Sequence, residues 1–475
     1  MRLAVIGAGY VGMTTAACFA EAGHQVVCVD ADTDRVNRLR SGDIPFYEPG
    51  LQELVEKTAQ LGRLSFTSDT PQAAGQSDVI FLTVGTPLRA DQSPDLSFLE
   101  AAAAEAAQGI RKSGDYKIVA IKSTVPVGTT ERLAGTMRDL AGAACDIVSV
   151  PEFLREGSAI RDTLHPDRVI IGTDSDRAWN ILTELYRGFA GNVVRTDRTS
   201  AEMIKYASNA FLATKISFIN EIANLCEKMG ADIGQVAYGM GLDHRIGHSS
   251  LQAGIGFGGS CLPKDTTALI GSAREAGADL RILQAVDEVN RGQPYRILDK
   301  LSSALGSLEG KVAGVWGLSY KPDTDDIREA AAHTIIQELL RAGSVVQAYD
   351  PAAVQAMKAA MPGSSVKWCG TAAEAAAGAD ALCLLTEWDE FRSYPLTELA
   401  QIMKQPILVD GRNVFDQSEV RMPDCVIIRS DVRSADSERK EARECEHCNN
   451  RRRRLYRISS VTSPAAQRLY RRRCR

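Results

Sequence analysis

Alternating apolar strands and helical stretches fill the first 150 residues. Apolar runs at residues 3–7 and 25–30 predict two strands, and the stretch between them has the apolar spacing of a helix that stops at Gly23. Similar strand patterns, separated by alanine-rich helical segments such as residues 98–108, recur at residues 78–84, 117–122 and 146–150. Strands that alternate with helices in this way are typical of a parallel, doubly wound α/β sheet.

A helical pattern without proline runs from Ser200, a candidate N-cap, to Gly230, a candidate stop. A helix of about 30 residues is unusually long for a globular protein. We expect it to join the first sheet domain to a helical middle region that ends near Pro294. A long apolar helix between domains favours a dimer interface, so a homodimer is the expected assembly.

The α/β pattern then returns. Predicted strands at residues 312–316, 344–350, 381–386 and 407–410 alternate with predicted helices at 330–342 and 371–377. This indicates a second Rossmann-like domain, but its first turn, residues 314–319, lacks the dinucleotide fingerprint, so we expect it to hold a different nucleotide. The predicted division is a first Rossmann domain at 1–198, a central helical domain at 199–295, a second Rossmann-like domain at 309–430 and a basic tail at 431–475.

The composition narrows the class of protein. Hydrophobic residues make up 44% and charged residues 24% of the 475 residues, as in soluble globular proteins. No apolar run is long enough for a membrane helix, and the first residues lack the pattern of a secretory signal, so no membrane partner is expected. The 11 cysteines form no disulfide framework, so we expect reduced thiols and a cytoplasmic location.

The end of the chain differs from the rest in charge. Residues 451–475 hold ten arginines and no acid, although the net charge of the whole chain is −5. Cys445 and Cys448 have the spacing of half a zinc site, but no second pair follows, so we predict no metal site. With few core-forming residues nearby, we expect residues 431–475 to be a disordered appendage rather than a nucleic-acid-binding arm.

The first turn carries a dinucleotide fingerprint. Gly7, Gly9 and Gly12 lie between a predicted strand and a predicted helix, where glycine permits a tight turn and close approach of a pyrophosphate. Asp30 follows Gly12 by 18 residues at the next strand end, where its carboxylate can accept both ribose hydroxyls. It would repel a 2′-phosphate, which favours NAD over NADP, with Arg35 as the one reservation.

A glycine-rich stretch precedes one cysteine. Residues 254–265 read GIGFGGSCLPKD, and so many glycines indicate backbone wrapped closely round a ligand, with the Cys261 thiol presented to it. Lys264 would favour the thiolate by its charge, and Asp265 would relay a proton. The alternatives are an inert buried cysteine and a helix N-cap role for Asp265.

Seven segments together resemble the UDP-glucose dehydrogenase family of nucleotide-sugar dehydrogenases. They are GAGYVG at 7–12, STVPVGTT at 123–130, PEFLREGSAI at 151–160, IKYASNAFLATKISFINEI at 204–222, DHRIG at 243–247, GFGGSCLPKD at 256–265 and SYKPDTDDIREA at 319–330. The resemblance runs from about residue 1 to 428. It implies NAD as the cofactor, UDP-glucose as the substrate, and oxidation of the C6 alcohol to a carboxylate through a cysteine thiohemiacetal and thioester.

The resemblance also implies roles for single residues. Cys261 matches the nucleophile. Lys205 stabilises the developing oxyanion, with Asn209 beside it on the same helix face, and Asp265 partners Lys205 through a water. Glu152 matches the residue assigned to thioester hydrolysis, and Thr124 one that orders water.

The remaining implied contacts belong to the cofactor and the substrate. Cofactor contacts are expected at Gly7, Gly9, Tyr10, Val11, Gly12, Asp30, Arg35, Thr86, Thr124, Glu156, Lys264 and Arg328. Substrate contacts are expected at Phe153, Leu154, Lys205, Asn209, Arg245, Phe257, Gly258, Lys321 and Arg412, with Arg245 reaching the site of the neighbouring subunit.

Three alternative functions stay open. The same chemistry could act on GDP-mannose or UDP-N-acetylmannosamine, although DHRIG and PEFLREGSAIRD favour UDP-glucose. A two-electron hydroxyacid dehydrogenase shares the Rossmann start but has no use for a glycine-flanked cysteine or a second nucleotide domain. A non-catalytic sugar-nucleotide sensor would need no thiol nucleophile.

Overall fold

A computed structural model describes residues 1–142, 145–415 and 426–429 of the chain. These residues form two parallel-sheet domains joined by long helices, which confirms the α/β fold with two Rossmann-like domains. The predicted tail at 431–475, with Cys445 and Cys448, lies outside the described residues.

The first domain is built on an eight-stranded sheet. Its strands are β1 (Arg2–Ile6), β2 (Gln25–Val29), β3 (Leu64–Thr67), β4 (Val79–Leu82), β5 (Lys117–Ile121), β6 (Cys145–Ser149), β7 (Arg168–Gly172) and β8 (Asn192–Thr196). Its helices are α1 (Tyr10–Glu21), α2 (Thr33–Arg40), α3 (Leu51–Gln60), α4 (Thr70–Gln76), α5 (Ser97–Ser113), α6 (Thr129–Ala141), α7 (Ala159–Leu164) and α8 (Asp176–Leu185). The strand order is β3-β2-β1-β4-β5-β6-β7-β8, and only the β6–β7 pair is antiparallel.

Both faces of this sheet are covered, which explains its apolar strands. Leu3 and Val5 of β1 pack into one core cluster, while Ala4 and Ile6 pack into another on the opposite face. The five predicted strands of this region are confirmed as β1, β2, β4, β5 and β6. Because these strands are parallel, the residues that follow them meet at one edge of the sheet, where ligands bind in such folds.

The central region consists of four helices: α9 (Arg198–Met229), α10 (Ile233–Gly241), α11 (Leu262–Glu275) and α12 (Arg281–Leu305). The long predicted helix is α9, and it stops before Gly230 as expected. Its N-cap is Asp197 rather than Ser200, because the Asp197 side chain accepts a hydrogen bond from the Ser200 amide at 2.7 Å.

The middle region was expected to end near Pro294, but helix α12 does not end there. It continues through this proline, so the predicted boundary at residue 295 falls inside a helix. The second half of α12 places Ile297 and Leu301 in the core of the second sheet. This tertiary packing outweighs the local tendency of proline to end a helix.

The second sheet has six parallel strands in the order β11-β10-β9-β12-β13-β14. They are β9 (Val312–Trp316), β10 (Val345–Tyr349), β11 (Lys367–Trp368), β12 (Ala381–Leu384), β13 (Ile407–Asp410) and β14 (Val426–Arg429). The accompanying helices are α13 (Ala331–Arg341), α14 (Val354–Ala360), α15 (Ala372–Ala376), α16 (Asp389–Arg392) and α17 (Leu396–Ile402). The first six strands of each sheet thus share the order 3-2-1-4-5-6 that is typical of Rossmann domains.

The two domains also carry matching carboxylates at the end of their second strands. Asp30 accepts a hydrogen bond from the Ala8 amide at 2.8 Å, and Asp350 accepts one from the Leu318 amide at 2.7 Å. Trp388 additionally donates its indole N–H to Asp350 at 3.1 Å, and Asp350 is buried. Asp350 is therefore enclosed by its own domain, whereas Asp30 is partly exposed.

Within the part of the chain that the structure describes, no helix is both long and apolar enough to cross a membrane. The seven cysteines within the described residues are all free thiols.

Candidate active site

The glycine turn after β1 is shaped to admit a pyrophosphate. A Cβ atom at Gly12 would lie 1.7 Å from the carbonyl oxygen of Gly7, so helix α1 can approach β1 closely only without a side chain there. Gly7 has a φ of 107°, which glycine adopts readily. Gly9, the N-cap of α1, has open space around it, so a ligand can reach the amides at the start of the helix.

Asp30 is held beside this turn by local bonds. It accepts from the Ala8 amide, and its second oxygen accepts from the Asp32 amide at 3.0 Å. Arg35 pairs with the same carboxylate at 3.3 Å, so its charge is directed to Asp30. The turn and this carboxylate fit the NAD that the sequence predicts.

Cys261 is the N-cap residue of α11 and is half-buried. Its sulfur lies 3.5 Å from the Ser260 hydroxyl. Burial, followed by the nearby Glu152 carboxylate, raises the pKa of the Cys261 thiol to about 11, and Lys205 acts in the opposite direction. The Lys264 ammonium pairs with Asp265 at 2.6 Å, and Lys205 is the cation among the main influences that lower the thiol pKa.

Lys205 and Glu152 form a buried ion pair next to this thiol. The Lys205 Nζ lies 3.0 Å from the Glu152 Oε1, and the two side chains are only 4% and 5% exposed. The Leu154 amide donates to the other carboxylate oxygen at 2.7 Å, and the Lys205 Nζ lies 5.4 Å from the centre of the Phe153 ring. Burial opposes the charge of Lys205, but the surrounding anions, Glu152 first among them, outweigh it and raise the pKa of Lys205.

Asp265 and Asn209 complete the polar cluster. The Asn209 side-chain amide donates to the buried Asp265 carboxylate at 2.6 Å. The direct partner of Lys205 is thus Glu152, whereas the direct partners of Asp265 are Asn209 and Lys264. The alternative N-cap role for Asp265 is wrong, because Asp265 lies inside the first turn of α11.

Protein packing requires glycine at two positions before Cys261. A Cβ atom at Gly258 would lie 2.3 Å from the carbonyl oxygen of Glu329, and one at Gly259 would lie 2.7 Å from the Tyr320 ring. Both of these neighbours belong to the second Rossmann domain. The stretch that presents the thiol is therefore pressed against that domain.

Phe257 and Arg412 also hold this stretch in place. The Asn290 side chain bonds both the amide and the carbonyl of Phe257, at 2.8 and 3.0 Å. Arg412 donates to the carbonyl oxygens of Leu385, Gly256 and Tyr320 at 2.8 to 3.2 Å. In this structure both residues therefore support the loop that carries Cys261.

Residues 320–329, which we call the bridging segment, join the two Rossmann domains. The Tyr10 hydroxyl donates to Asp325, and the Tyr47 amide donates to the same carboxylate at 3.2 Å. The Lys321 ammonium donates a hydrogen bond to the carbonyl oxygen of Glu156. The bridging segment thus lies over the glycine turn.

Glu156 and Arg328 meet at the same junction. Arg328 binds Asp326 through two nitrogens, at 2.8 and 2.7 Å, and reaches Glu156 at 3.5 Å. Burial, together with the Asp326 charge, raises the pKa of the Glu156 carboxyl. The structure therefore brings Tyr10, Glu156, Lys321 and Arg328 together, as expected for groups that act at one interdomain cleft.

Thr86 and Thr124 also lie next to each other, because the Thr86 hydroxyl donates to the Thr124 carbonyl at 2.8 Å. Val11 is part of the first turn of α1. Arg245, in contrast, makes its described bonds to Asp243 in its own loop, and its side chain is 78% exposed. Among its described bonds, Arg245 makes none to the residues around Cys261.

Two buried charges near the cleft escaped the sequence analysis. Glu48 accepts from the Gly157 and Ala159 amides at 2.6 and 2.8 Å and so holds the loop after Glu152. Lys122 directly follows β5, and burial lowers its pKa to about 8 while Glu152 acts in the opposite direction. Nothing marks Glu48 in the sequence, but a lysine at the carboxyl end of a buried strand is a signal that could have identified Lys122.

Comparison with known proteins agrees with this arrangement. Models of the UDP-glucose/GDP-mannose dehydrogenase family match the chain three times: the NAD binding domain at residues 1–190, the central domain at 199–292 and the UDP binding domain at 314–417.

Individual relatives extend over nearly the same length. UDP-glucose 6-dehydrogenase TuaD of Bacillus subtilis is 46% identical over 422 residues, which is 88% of this chain and 91% of that protein. A UDP-glucose 6-dehydrogenase of Rhizobium meliloti is 45% identical over 428 residues, 88% of this chain and 97% of that protein.

Two solved structures share this fold over nearly their whole length. A UDP-glucose dehydrogenase from Pyrobaculum islandicum superposes with a TM-score of 0.85 at 38% identity, covering 91% of this chain and 98% of its own. A UDP-D-ManNAc dehydrogenase from Pyrococcus horikoshii gives a TM-score of 0.79 at 29% identity, covering 91% and 99%. Because the family models match all three regions and relatives of about 45% identity extend over most of the chain, the chain belongs to the UDP-glucose/GDP-mannose dehydrogenase family.

Proposed function

We propose that the protein oxidises the C6 alcohol of UDP-glucose to the carboxylate of UDP-glucuronate, using two NAD per sugar. The observation that carries this proposal is the buried Lys205–Glu152 ion pair beside Cys261, in a cleft between an NAD-binding and a UDP-binding domain. Burying two charges costs roughly several kcal/mol of free energy, which their mutual attraction then has to offset. A reaction that uses the two charges therefore explains the buried pair better than a contribution to stability does.

The residues divide the chemistry between them. NAD, when bound, supplies the hydride acceptor. Lys205 offers a positive charge to the alkoxide of the first step and to the oxyanion of the thiohemiacetal that forms when the Cys261 sulfur adds to the C6 aldehyde. Loss of a second hydride then gives a thioester.

Hydrolysis of the thioester returns the free thiol. Glu152 is the carboxylate closest to Lys205 and is positioned to accept a proton from the attacking water, with Thr124 ordering that water. Asn209 and Asp265 keep the cluster in place through their 2.6 Å bond. One water and two hydride losses convert the alcohol to the acid, so acid and NADH form in a ratio of one to two.

The test is an NADH assay across UDP-glucose, GDP-mannose and UDP-N-acetylmannosamine, with the acid measured in parallel. We expect the highest kcat/KM with UDP-glucose and two NADH per acid. The Pyrococcus horikoshii relative, named for UDP-D-ManNAc, makes the last sugar the strictest comparison. One NADH per sugar, or higher kcat/KM with another sugar, would overturn the proposal. No NADH with any sugar would favour the sensor alternative.

We also infer a homodimer formed through the central helices. Large apolar side chains are exposed along α9 and α10 and at the C-cap of α10; they are Phe211, Phe218, Leu225, Tyr238 and Leu242. Arg245 lies in the loop just after this surface, which supports its predicted reach into the neighbouring subunit's site. Phe211→Asp should yield monomers by sedimentation, whereas Phe98→Asp, a change of an equally exposed aromatic on α5, should not.

Arg245 gives the proposed dimer a second test. Arg245→Ala should raise the KM for UDP-glucose without changing the sedimentation coefficient.

A cytoplasmic location is proposed as well, since the free thiols at seven described positions suit a reducing compartment. Fractionation of cells that produce the protein tests it.

A further inference from the structure

Glu202 is a buried carboxylate that the reaction above does not use. It lies on α9, is 3% exposed, and accepts hydrogen bonds from the first turn of α6. The donors are the Gly128 amide at 2.5 Å, the Thr130 amide at 2.7 Å and the Thr130 hydroxyl at 2.6 Å. The N-cap residue of α6 is Gly128, which has no side chain to offer, so a different helix supplies this cap.

The same carboxylate shares a helix face with the catalytic residues of α9. Positions 202, 205 and 209 follow one another at the spacing of one helix face, and all three side chains are buried. Helix α9 is continuous across them. The backbone position of Lys205 is therefore fixed relative to that of Glu202.

The loop that Glu202 caps is the one that carries Thr124. At its start, the Ser123 hydroxyl donates to the Val84 carbonyl at 2.6 Å, and Thr86 holds the Thr124 carbonyl. At its end, the Gly128 amide is held by Glu202. Without Glu202 the loop keeps the hydrogen bonds at its start and loses the bond at its end.

Docking of α9 itself does not depend on Glu202 alone. Arg198, in the first turn of α9, donates to the Ile147 carbonyl at 2.8 Å and pairs with Glu131 and Asp174. Removal of the Glu202 charge therefore frees the loop while the helix stays attached. Glu131 is a useful comparison, because it also lies in the first turn of α6 but is largely exposed.

We propose that Glu202 is a positioning residue that sets the place of Thr124 relative to Lys205 and Glu152. This inference rests on the proposed function, in which Thr124 orders the water that cleaves the thioester. A displaced Thr124 slows that hydrolysis more than it slows either hydride transfer. The signature is accumulation of the covalent intermediate on Cys261.

The test variant is Glu202→Gln, which keeps the shape but places an amide NH₂ against backbone and hydroxyl donors. We expect steady-state acid formation to fall at least about tenfold, with KM for NAD and UDP-glucose within about threefold of the parent. Intact-protein mass spectrometry during turnover should show the Cys261 adduct in this variant. Glu131→Gln should behave like the parent.

A purely structural role gives a different result. A smaller fraction of folded enzyme lowers the amplitude of the first NADH burst and the steady-state rate equally, without accumulation of the adduct, and that outcome refutes the inference. Thr130→Val removes only one of the three bonds and should show the same accumulation to a lesser degree, so it replaces Glu202→Gln if that variant does not fold.

Failure of the proposed function is visible separately, because the parent enzyme would then make no acid. In that case amide hydrogen exchange of residues 123–128 decides the matter. Exchange should be at least about tenfold faster in Glu202→Gln than in the parent, and unchanged in Glu131→Gln. Equal exchange in all three proteins would show that Glu202 does not position the loop.

Discussion

Replacement of Lys205 by Met separates the catalytic value of the buried ion pair from its effect on stability. Met has a similar length and no charge, so Glu152 keeps its buried position and its bond from the Leu154 amide but loses its cation. Removing one partner of a buried pair costs about 3–5 kcal/mol of the free energy of unfolding. Because one hydrogen bond to the carboxylate remains, we expect the lower end, about 3 kcal/mol.

The double variant Lys205→Met/Glu152→Gln removes both charges. We expect it to recover at least about 2 kcal/mol relative to Lys205→Met, because no unpaired charge stays buried. Turnover should not recover. Loss of a group that stabilises an oxyanion lowers kcat by about 10²–10³-fold, and Glu152→Gln also removes the proposed base.

The measurement is equilibrium unfolding in guanidinium for the parent, both single variants and the double variant, with acid formation measured on the same samples. Lys57→Met is the matched control, because the Lys57–Glu21 pair is exposed, with Lys57 57% accessible, and such pairs contribute about 0–1 kcal/mol. A cost below about 1 kcal/mol for Lys205→Met, or a double variant no more stable than that single variant, would refute the reasoning.

Four further predictions follow from the site and the sequence. Cys261→Ala should lower acid formation by roughly 10⁴-fold or more with NAD affinity nearly unchanged in calorimetry, and acid within about tenfold of the parent would exclude a covalent route. NAD should exceed NADP in kcat/KM by at least about tenfold because of Asp30, and equal values would contradict this. With a pKa of about 11, Cys261 should react with iodoacetamide about tenfold faster per pH unit between pH 7 and 9, and a plateau there would show a lower pKa. Removing residues 431–475 should change turnover less than about threefold, since the family match ends at residue 417, and a tenfold loss would show the tail to be required.

The sequence predicted many of the buried strands, although it missed β7, which is also buried. Strands such as β4 and β5 are buried along their whole length, so their apolar runs are unambiguous. Strand β8 escaped prediction because it is an edge strand, mostly exposed, with no apolar alternation to reveal it. The predicted end of the middle region at residue 295 falls inside α12, because the packing that sustains this helix comes from a distant domain.

In the active site, too, local sequence patterns identified residues but not their long-range partners. Cys261, Lys205 and Glu152 were identified from motifs, but the direct pairing of the last two spans 53 residues, and no spacing rule connects them. Glu202 and its donors in α6 are more than 70 residues apart and were not identified at all. Long-range partners of buried charges emerge only when helices and loops have been brought together.

The location of Cys261 affects how the reaction intermediate is retained. The thiol stands at the start of α11, in the central helices, whereas the bridging segment joins the two Rossmann domains through Tyr10 and Glu156. A reaction that consumes two cofactors must exchange one of them midway, and the segment lies over the turn where that exchange occurs. A sugar held only by contacts between the two domains would leak out as a reactive aldehyde at that moment. In the proposed reaction the bond to Cys261 holds the sugar to the protein, so the intermediate is retained while the first NADH leaves and a second NAD binds.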